Sequence, residues 1–241
     1  MTRIDASGMS FQELNRTLRD CGDDAELENC LGQRFIAAGM RDRKIVIRGV
    51  PGNALGAYLD GGTVEVFGNA QDAVGDTMNA GRIVVHGDIG DTAGYAMRGG
   101  RIYVGGNAGY RTGIHMKAYQ DKLPVLVIGG RTGSFLGEYQ AGGVIVVLGL
   151  DAADERPIVS NFPCTGMHGG KLFLRSDCAE IPFPKQVTAR PATPDDLAES
   201  EEYLREFCAL FDVAFDMVYA SRYTVVTPDS QNPYQQMYVA N

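Results

Sequence analysis

The sequence predicts an all-β chain: a right-handed parallel β-helix of about seven coils, with a short N-terminal helix and a C-terminal helix. Three observations lead there. Short runs of β-branched and aromatic residues are each closed by a glycine. The closing glycines, Gly49, Gly68, Gly87, Gly106, Gly130 and Gly149, lie 19, 19, 19, 24 and 19 residues apart. No helical pattern falls between successive runs. A 19-residue unit is too short for a strand–helix–strand crossover of about 30 residues or a propeller blade of about 40. It suits one coil, stacked on the next at about 4.8 Å, so that seven coils make a column of roughly 30 Å.

The elements follow in chain order. "SFQELNRTLRDC" opens on Ser10 with Glu13 three residues on, a capping box. Phe11, Leu14 and Leu18 keep helical spacing, so a short amphipathic helix is expected. The sequon Asn15-Arg16-Thr17 is read as chance in that setting. Residues 1–43 are expected to form this helix and a lead-in coil. Residues 44–180 carry the repeats. Their runs are Ile45–Ile47, Val64–Val66, Ile83–Val85, Ile102–Val104, Leu126–Ile128 and Ile145–Val147, with a seventh at Leu172–Leu174. Such runs between turn residues mark short strands.

Two further sets of glycines share the beat: Gly56, Gly75, Gly94, Gly113 and Gly137, then Gly62, Gly81, Gly100 and Gly143. All are expected at corners, where glycine reaches positive φ without a Cβ clash. Asn69, Asp88 and Asn107 suit turns that bond their own backbone. Inward residues such as Val64 and Val66, Ile83 and Val85, or Ile102 and Val104 should stack as apolar ladders.

Residues 181–241 are expected to form a helix and an extended tail. In "ATPDDLAESEEYLREFCALF", Thr193 caps and Pro194 fits the first turn. Leu197, Leu204, Phe207, Cys208 and Phe211 mark one apolar face, for packing on the column or, as the alternative, on another subunit. Tyr234, Met237 and Tyr238 are candidate anchors in the tail.

The period fails twice. Five extra residues fall between Gly113 and Pro124, and eight between Gly149 and Gly170. Insertions in repeat folds become loops, often on the binding face. His115, Lys117, Tyr119, Asp121, Cys164, Met167 and His168 are the candidate partner-contact residues there.

Composition narrows the function. Lys plus Arg is 22 and Asp plus Glu is 30, a net charge of −8. That sign argues against nucleic acid or an anionic membrane as partner. No run approaches a membrane span, and a cytoplasmic protein is expected. The five cysteines show no CxxC pair, so neither a disulfide framework nor a cluster or zinc site held by this chain is expected. No phosphate-binding G-x-G-x-x-G or P-loop occurs.

Catalytic constellations are incomplete. His86 lies at a strand end, in the position of Phe67 one coil earlier, and reads as structural. His115 and His168 with Asp121, Asp151, Asp154 or Glu155 would need two loops to meet. Cys164 with His168 would be a nucleophile and base. No fixed motif supports either, so no catalytic, cofactor or metal ligand is assigned to the chain.

The stretches "GNALGAYLDGG", "GNAQDAVGDTMNAGRIVVHGD" and "GDIGDTAGYAMRGGRIYVGGNAG" resemble the GXGXG repeat domain of the glutamate synthase large subunit. "GQRFIAAGM" before them and "CTGMHGGKLFLR" after them extend the resemblance to stand-alone domain-3-type proteins. The resemblance implies a non-catalytic scaffold for glutamate synthesis from glutamine and 2-oxoglutarate. It implies a separate glutaminase-type subunit and a synthase-type subunit carrying FMN and an iron–sulfur cluster. A pyridine-nucleotide- or ferredoxin-linked electron-input subunit is a further implied partner. The alternative is a scaffold in another redox complex, similar to the β-helical subunit of formylmethanofuran dehydrogenase or to methylamine–glutamate N-methyltransferase. An independent enzyme built on His115, Cys164 and His168 is the third reading.

Overall fold

The computed structural model describes residues 1–150, 156–178 and 181–229. One 11-stranded sheet runs through the molecule in the order β1-β2-β3-β4-β5-β6-β7-β8-β9-β11-β10. Strands β1 (Thr2–Asp5), β2 (Ala25–Leu31), β3 (Lys44–Val50), β4 (Asp60–Phe67) and β5 (Ala80–Val85) are parallel neighbours. So are β6 (Arg101–Val104), β7 (Val125–Ile128), β8 (Ala141–Val147) and β9 (Gly169–Leu174). The nine parallel strands make a β-solenoid of about eight turns, each strand stacking on the last as a repeat that cannot bury its own face. β10 (Val187–Pro191) and β11 (Thr224–Pro228) close the top, β11 pairing antiparallel with both β9 and β10.

The seven expected runs are β3 to β9, in register. Ile45, Val64, Ile83, Ile102, Leu126, Ile145 and Leu172 form one inward ladder, and all seven are at least 99% buried. Burying each is worth about 1.5–3 kcal/mol.

The extra turn comes from β1 and β2. Ala25 pairs with Ile45, 20 residues on, but Cys30 pairs with Gly49, 19 on. A bulge between Leu27 and Cys30 hides the beat. Between β1 and β2 lies α1 (Phe11–Asp20), with the Ser10–Glu13 capping box formed and Leu14 and Leu18 buried. Asn15 is also buried, donating to the carbonyls of Phe11 and Arg34, which removes it as a glycosylation acceptor.

The other face of the sheet is covered as well. Val84, Tyr103, Val127, Val146 and Phe173 point away from the solenoid interior and are nonetheless buried. Helix α2 (Pro194–Phe211) covers them with Leu204, Phe207 and Cys208. Its apolar stripe therefore packs on its own column, the first of the two expectations. Thr193 caps it in a box with Asp196, and Asp212 ends it in the left-handed conformation. The short α3 (Phe215–Tyr219) seals the edge with Val218.

Ion pairs fasten this cover. Glu206 meets Arg82 and Arg101 at 2.7 Å each and accepts from the Tyr103 hydroxyl at 2.5 Å. Glu202 pairs with Arg101 and Glu199 with Lys171. Burial disfavours the Glu206 carboxylate, yet the bonds from Tyr103, Arg82 and Arg101 hold its pKa below the usual range. Burial and the bond to Glu206 push the Tyr103 phenol well up.

Candidate functional site

The corner opposite in character to the α2 cover is built from a three-residue device. In every coil from β2 onward three alternate residues carry positive φ: Ala54, Gly56 and Tyr58, then Ala73, Gly75 and Thr77, then Thr92, Gly94 and Ala96. Arg111, Gly113 and His115 follow, then Phe135, Gly137 and Tyr139, then Phe162, Cys164 and Gly166. The coil between β2 and β3 has Phe35, Ala37 and Gly39. The central N–H of Gly113 donates down the column to Ala93, while Arg111 and His115 donate up to Ser134 and Glu138. The alternation points the central residue inward. A Cβ on Gly113 (φ +74°) would lie 2.4 Å from Ile145 Cδ1.

The flanking residues face outward and accept large side chains. A non-glycine at positive φ is uncommon and costs on the order of 1–3 kcal/mol. Here aromatic residues sit there repeatedly. Two rows result. His115 stacks on Tyr139 at 5.1 Å and 8°, with Tyr95 edge-on at 5.9 Å. Phe135 lies 5.3 Å from Tyr110 and 5.2 Å from Phe162. Arg111 covers the Tyr110 and Phe135 rings, and its Nε lies 2.7 Å from a carboxylate oxygen of the buried Glu138. Phe162 is 60% exposed, Tyr119 52%, Tyr95 40% and Tyr139 37%. Arg111 itself covers only the half-buried rings Tyr110 and Phe135; exposed aromatics with an arginine in the adjoining row are the composition of interaction hot spots.

The other expected glycine corners divide by cause. Gly62, Gly81, Gly100 and Gly143 have positive φ, as do Gly49, Gly68 and Gly149. Gly87, Gly106 and Gly130 do not, and that part of the corner expectation is corrected. A Cβ on Gly87 would lie 2.1 Å from Asn69 Oδ1 and 2.8 Å from the Gly68 carbonyl, so close stacking excludes a side chain. Asn69, Asp88 and Asn107 also differ from expectation. Their side chains accept backbone N–H bonds from Asp88, Asn107 and Arg131 of the next coil rather than from their own turns.

The sequence-derived contact residues separate. His115, Lys117, Tyr119 and Asp121 are exposed. The five-residue excursion is a turn bridged between Tyr119 and Lys122, and His115 precedes it on the regular corner. Cys164 and Met167 are fully buried and offer no surface to a partner. Cys164 occupies the inward station that Gly56, Gly75, Gly94, Gly113 and Gly137 hold in the coils below, and its N–H donates to Leu136. Burial pushes its thiol up to about 12. His168 is half-buried with Nδ1 3.0 Å from the Gly166 carbonyl. His115 lies two coils below that loop, beneath Tyr139. The trio of His115, Cys164 and His168 is therefore not a nucleophile–base site. His86 stacks on Phe67 at 4.5 Å and faces Glu65 at 3.2 Å, the structural role expected.

Among the described residues no three His, Cys, Asp or Glu side chains could hold a metal ion, and no helix is long and apolar enough to cross a membrane. Asp151, Asp154 and Glu155 lie outside the described residues, as do Tyr234, Met237 and Tyr238. A surface hollow of about 770 Å³ is lined by Arg131, Thr132, Arg156 and Ser160, and none of the sequence-derived contact residues reaches it.

Sequence reasoning missed the aromatic rows. The signal was present: Phe135 and Tyr139 flank Gly137 at −2 and +2, as Arg111 and His115 flank Gly113. A family model described as the GXGXG motif matches residues 9–224. The uncharacterized protein MJ1350 of Methanocaldococcus jannaschii is 45% identical over 248 residues, spanning 98% of this chain and 95% of that protein.

Proposed function

Because the chain belongs to the GXGXG-motif family, related to a domain of the glutamate synthase large subunit, we propose that it is the non-catalytic scaffold of a glutamate-synthase-type complex. It braces a separate glutaminase chain and an FMN/iron–sulfur synthase chain, which supply the chemistry and the cofactors. The observation that supports this reading is the outward corner: an exposed aromatic surface, in which Tyr139 and Phe162 sit at positive φ at a cost in backbone strain, uncovered by the described helices. The dispersal of His115, Cys164 and His168 supports it, because the residues with catalytic letters lack a common site.

The test is isolation of the native complex at low salt. The reading expects a glutaminase-type chain and a flavin- and iron–sulfur-containing chain in fixed ratio with this one. A chain that isolates with neither, or with molybdenum or tungsten in its complex, overturns it.

A further inference from the structure

We propose that the aromatic corner docks an acidic surface of the partner chain, with Arg98 and Lys117 as its charged contacts. The inference rests on the scaffold reading and adds the face and its chemistry. Arg98, Lys117, Ala141 and His168 occupy one column: their N–H groups donate to Met78, Met97, Met116 and Gln140, the same station in four successive coils. Asn79 holds the position below, donating to Leu59. From Asn79 to His168 the column contains no acid.

Arg98 and Lys117 are both exposed, stand on adjacent coils about 4.8 Å apart, and form no ion pair among the described residues. The neighbouring acids are accounted for differently. Glu138 is taken by Arg111, and Asp60 by Arg41 and Lys122. Asp76 accepts from the Thr77 hydroxyl, and Asp121 lies on the excursion. Two such adjacent cations are conspicuous in a chain of net charge −8.

The row of Tyr95, His115 and Tyr139 adjoins this column, because His115 lies two residues before Lys117, Tyr95 three before Arg98 and Tyr139 two before Ala141, while the row of Phe135 and Phe162 lies on the far flank of the corner. Across the two rows and the excursion, the exposed parts of Tyr95, Tyr119, Tyr139 and Phe162 sum to roughly 400 Å², taking about 200 Å² per aromatic side chain. That is the apolar centre of a standard interface of about 800 Å² per partner, with the cations on its rim. Single-stranded nucleic acid also binds aromatics beside cations, by stacking bases on open ring faces. Here His115 and Tyr139 stack on one another, which favours a protein surface.

The test uses the full chain in the isolated complex with a water-soluble carbodiimide, which joins an amine to a carboxylate in direct contact. The expected product is an amide between Lys117 and an Asp or Glu of the glutaminase or FMN/iron–sulfur chain, mapped by mass spectrometry. An Arg98→Glu/Lys117→Glu variant should keep its melting temperature and bind that chain at least tenfold more weakly, with a reduced salt dependence. Both partner chains present, no Lys117 cross-link and unchanged affinity in the variant overturn this inference and leave the scaffold reading standing. A Lys117 cross-link to a second copy of this chain, or tight binding of single-stranded nucleic acid at the corner, also overturns it. Isolation of the chain without either partner overturns both.

Discussion

The two outward surfaces of the solenoid are made by the same coils and finished in opposite ways. On the sheet face the outward residues Val84, Tyr103, Val127 and Phe173 are buried under α2, and Glu199, Glu202 and Glu206 pair with Lys171, Arg101 and Arg82. On the corner the aromatic residues stay in solvent, and Arg98 and Lys117 have no ion-pair partner among the described residues. A surface covered by its own chain has its charges neutralised there. A surface left open holds apolar and charged groups whose complements lie elsewhere. Stability should therefore reside on the first face and binding on the second.

The largest effect should come from removing the anchor of the cover. Phe207 is fully buried against the sheet's outer residues. Phe207→Ala should cost about 3–5 kcal/mol, read as a lowered denaturant midpoint. A cost below about 1 kcal/mol would mean that α2 rests loosely on the sheet, and the contrast between the faces would fail.

Next comes a substitution inside the open corner. Gly113→Ala places a methyl against Ile145 in a backbone with φ +74°, at about 1–3 kcal/mol. His115→Ala, two residues away and outward, should leave the midpoint nearly unchanged. Equal losses in the two variants would show that the corner does not divide into inward and outward stations.

These two predictions separate what the sequence disclosed from what it concealed. The strand runs and the inward ladder were legible because glycine and β-branched residues recur on one period. The first coil was concealed because the bulge at Leu27–Cys30 changes the spacing from 20 to 19 and its strand carries Glu26 and Glu28. The docking of α2 was half legible. Its apolar stripe was visible, but an all-apolar strand such as Val144–Val147 does not tell which of its two faces meets a helix. The charges did encode the pairing: Glu199, Glu202 and Glu206 repeat along one helix face, and Arg82 and Arg101 are 19 residues apart. The corner aromatics escaped notice because their spacing becomes a surface only once alternate residues take positive φ. Cys164 was misplaced for the same reason: by letter it lies in a loop beside His168, and by backbone it fills a glycine station facing the core.

Glu206→Gln should cost about 1–2 kcal/mol, since it keeps its shape and loses charge-assisted bonds. The pH dependence gives the sign. Its carboxyl pKa is lowered in the fold from 4.5, so its contribution is fully present above about that pH. It is lost as the pH falls through the folded value. The difference in melting temperature between wild type and variant should accordingly be constant near neutrality and shrink below about pH 4.5. A difference that grows on acidification would place a protonated Glu206 in the native network.

The smallest effect on stability should accompany a large effect on binding. Phe162 is 60% exposed, touches Phe135 at 5.2 Å and sits at φ +58°. Phe162→Ser removes apolar surface that water already reaches, so the melting temperature should shift by no more than a stability change of about 0.5 kcal/mol would give. Phe162→Gly should raise stability slightly, because glycine takes positive φ without the Cβ penalty. Both should weaken binding of a partner chain at the corner, whereas Tyr58→Ser, on a coil remote from Arg111 and Phe135, should weaken it less. If Phe162→Ser destabilises the chain as much as Phe207→Ala, the corner is a structural surface like the sheet face. If it changes neither stability nor binding, the strain carried at that corner is not explained by docking.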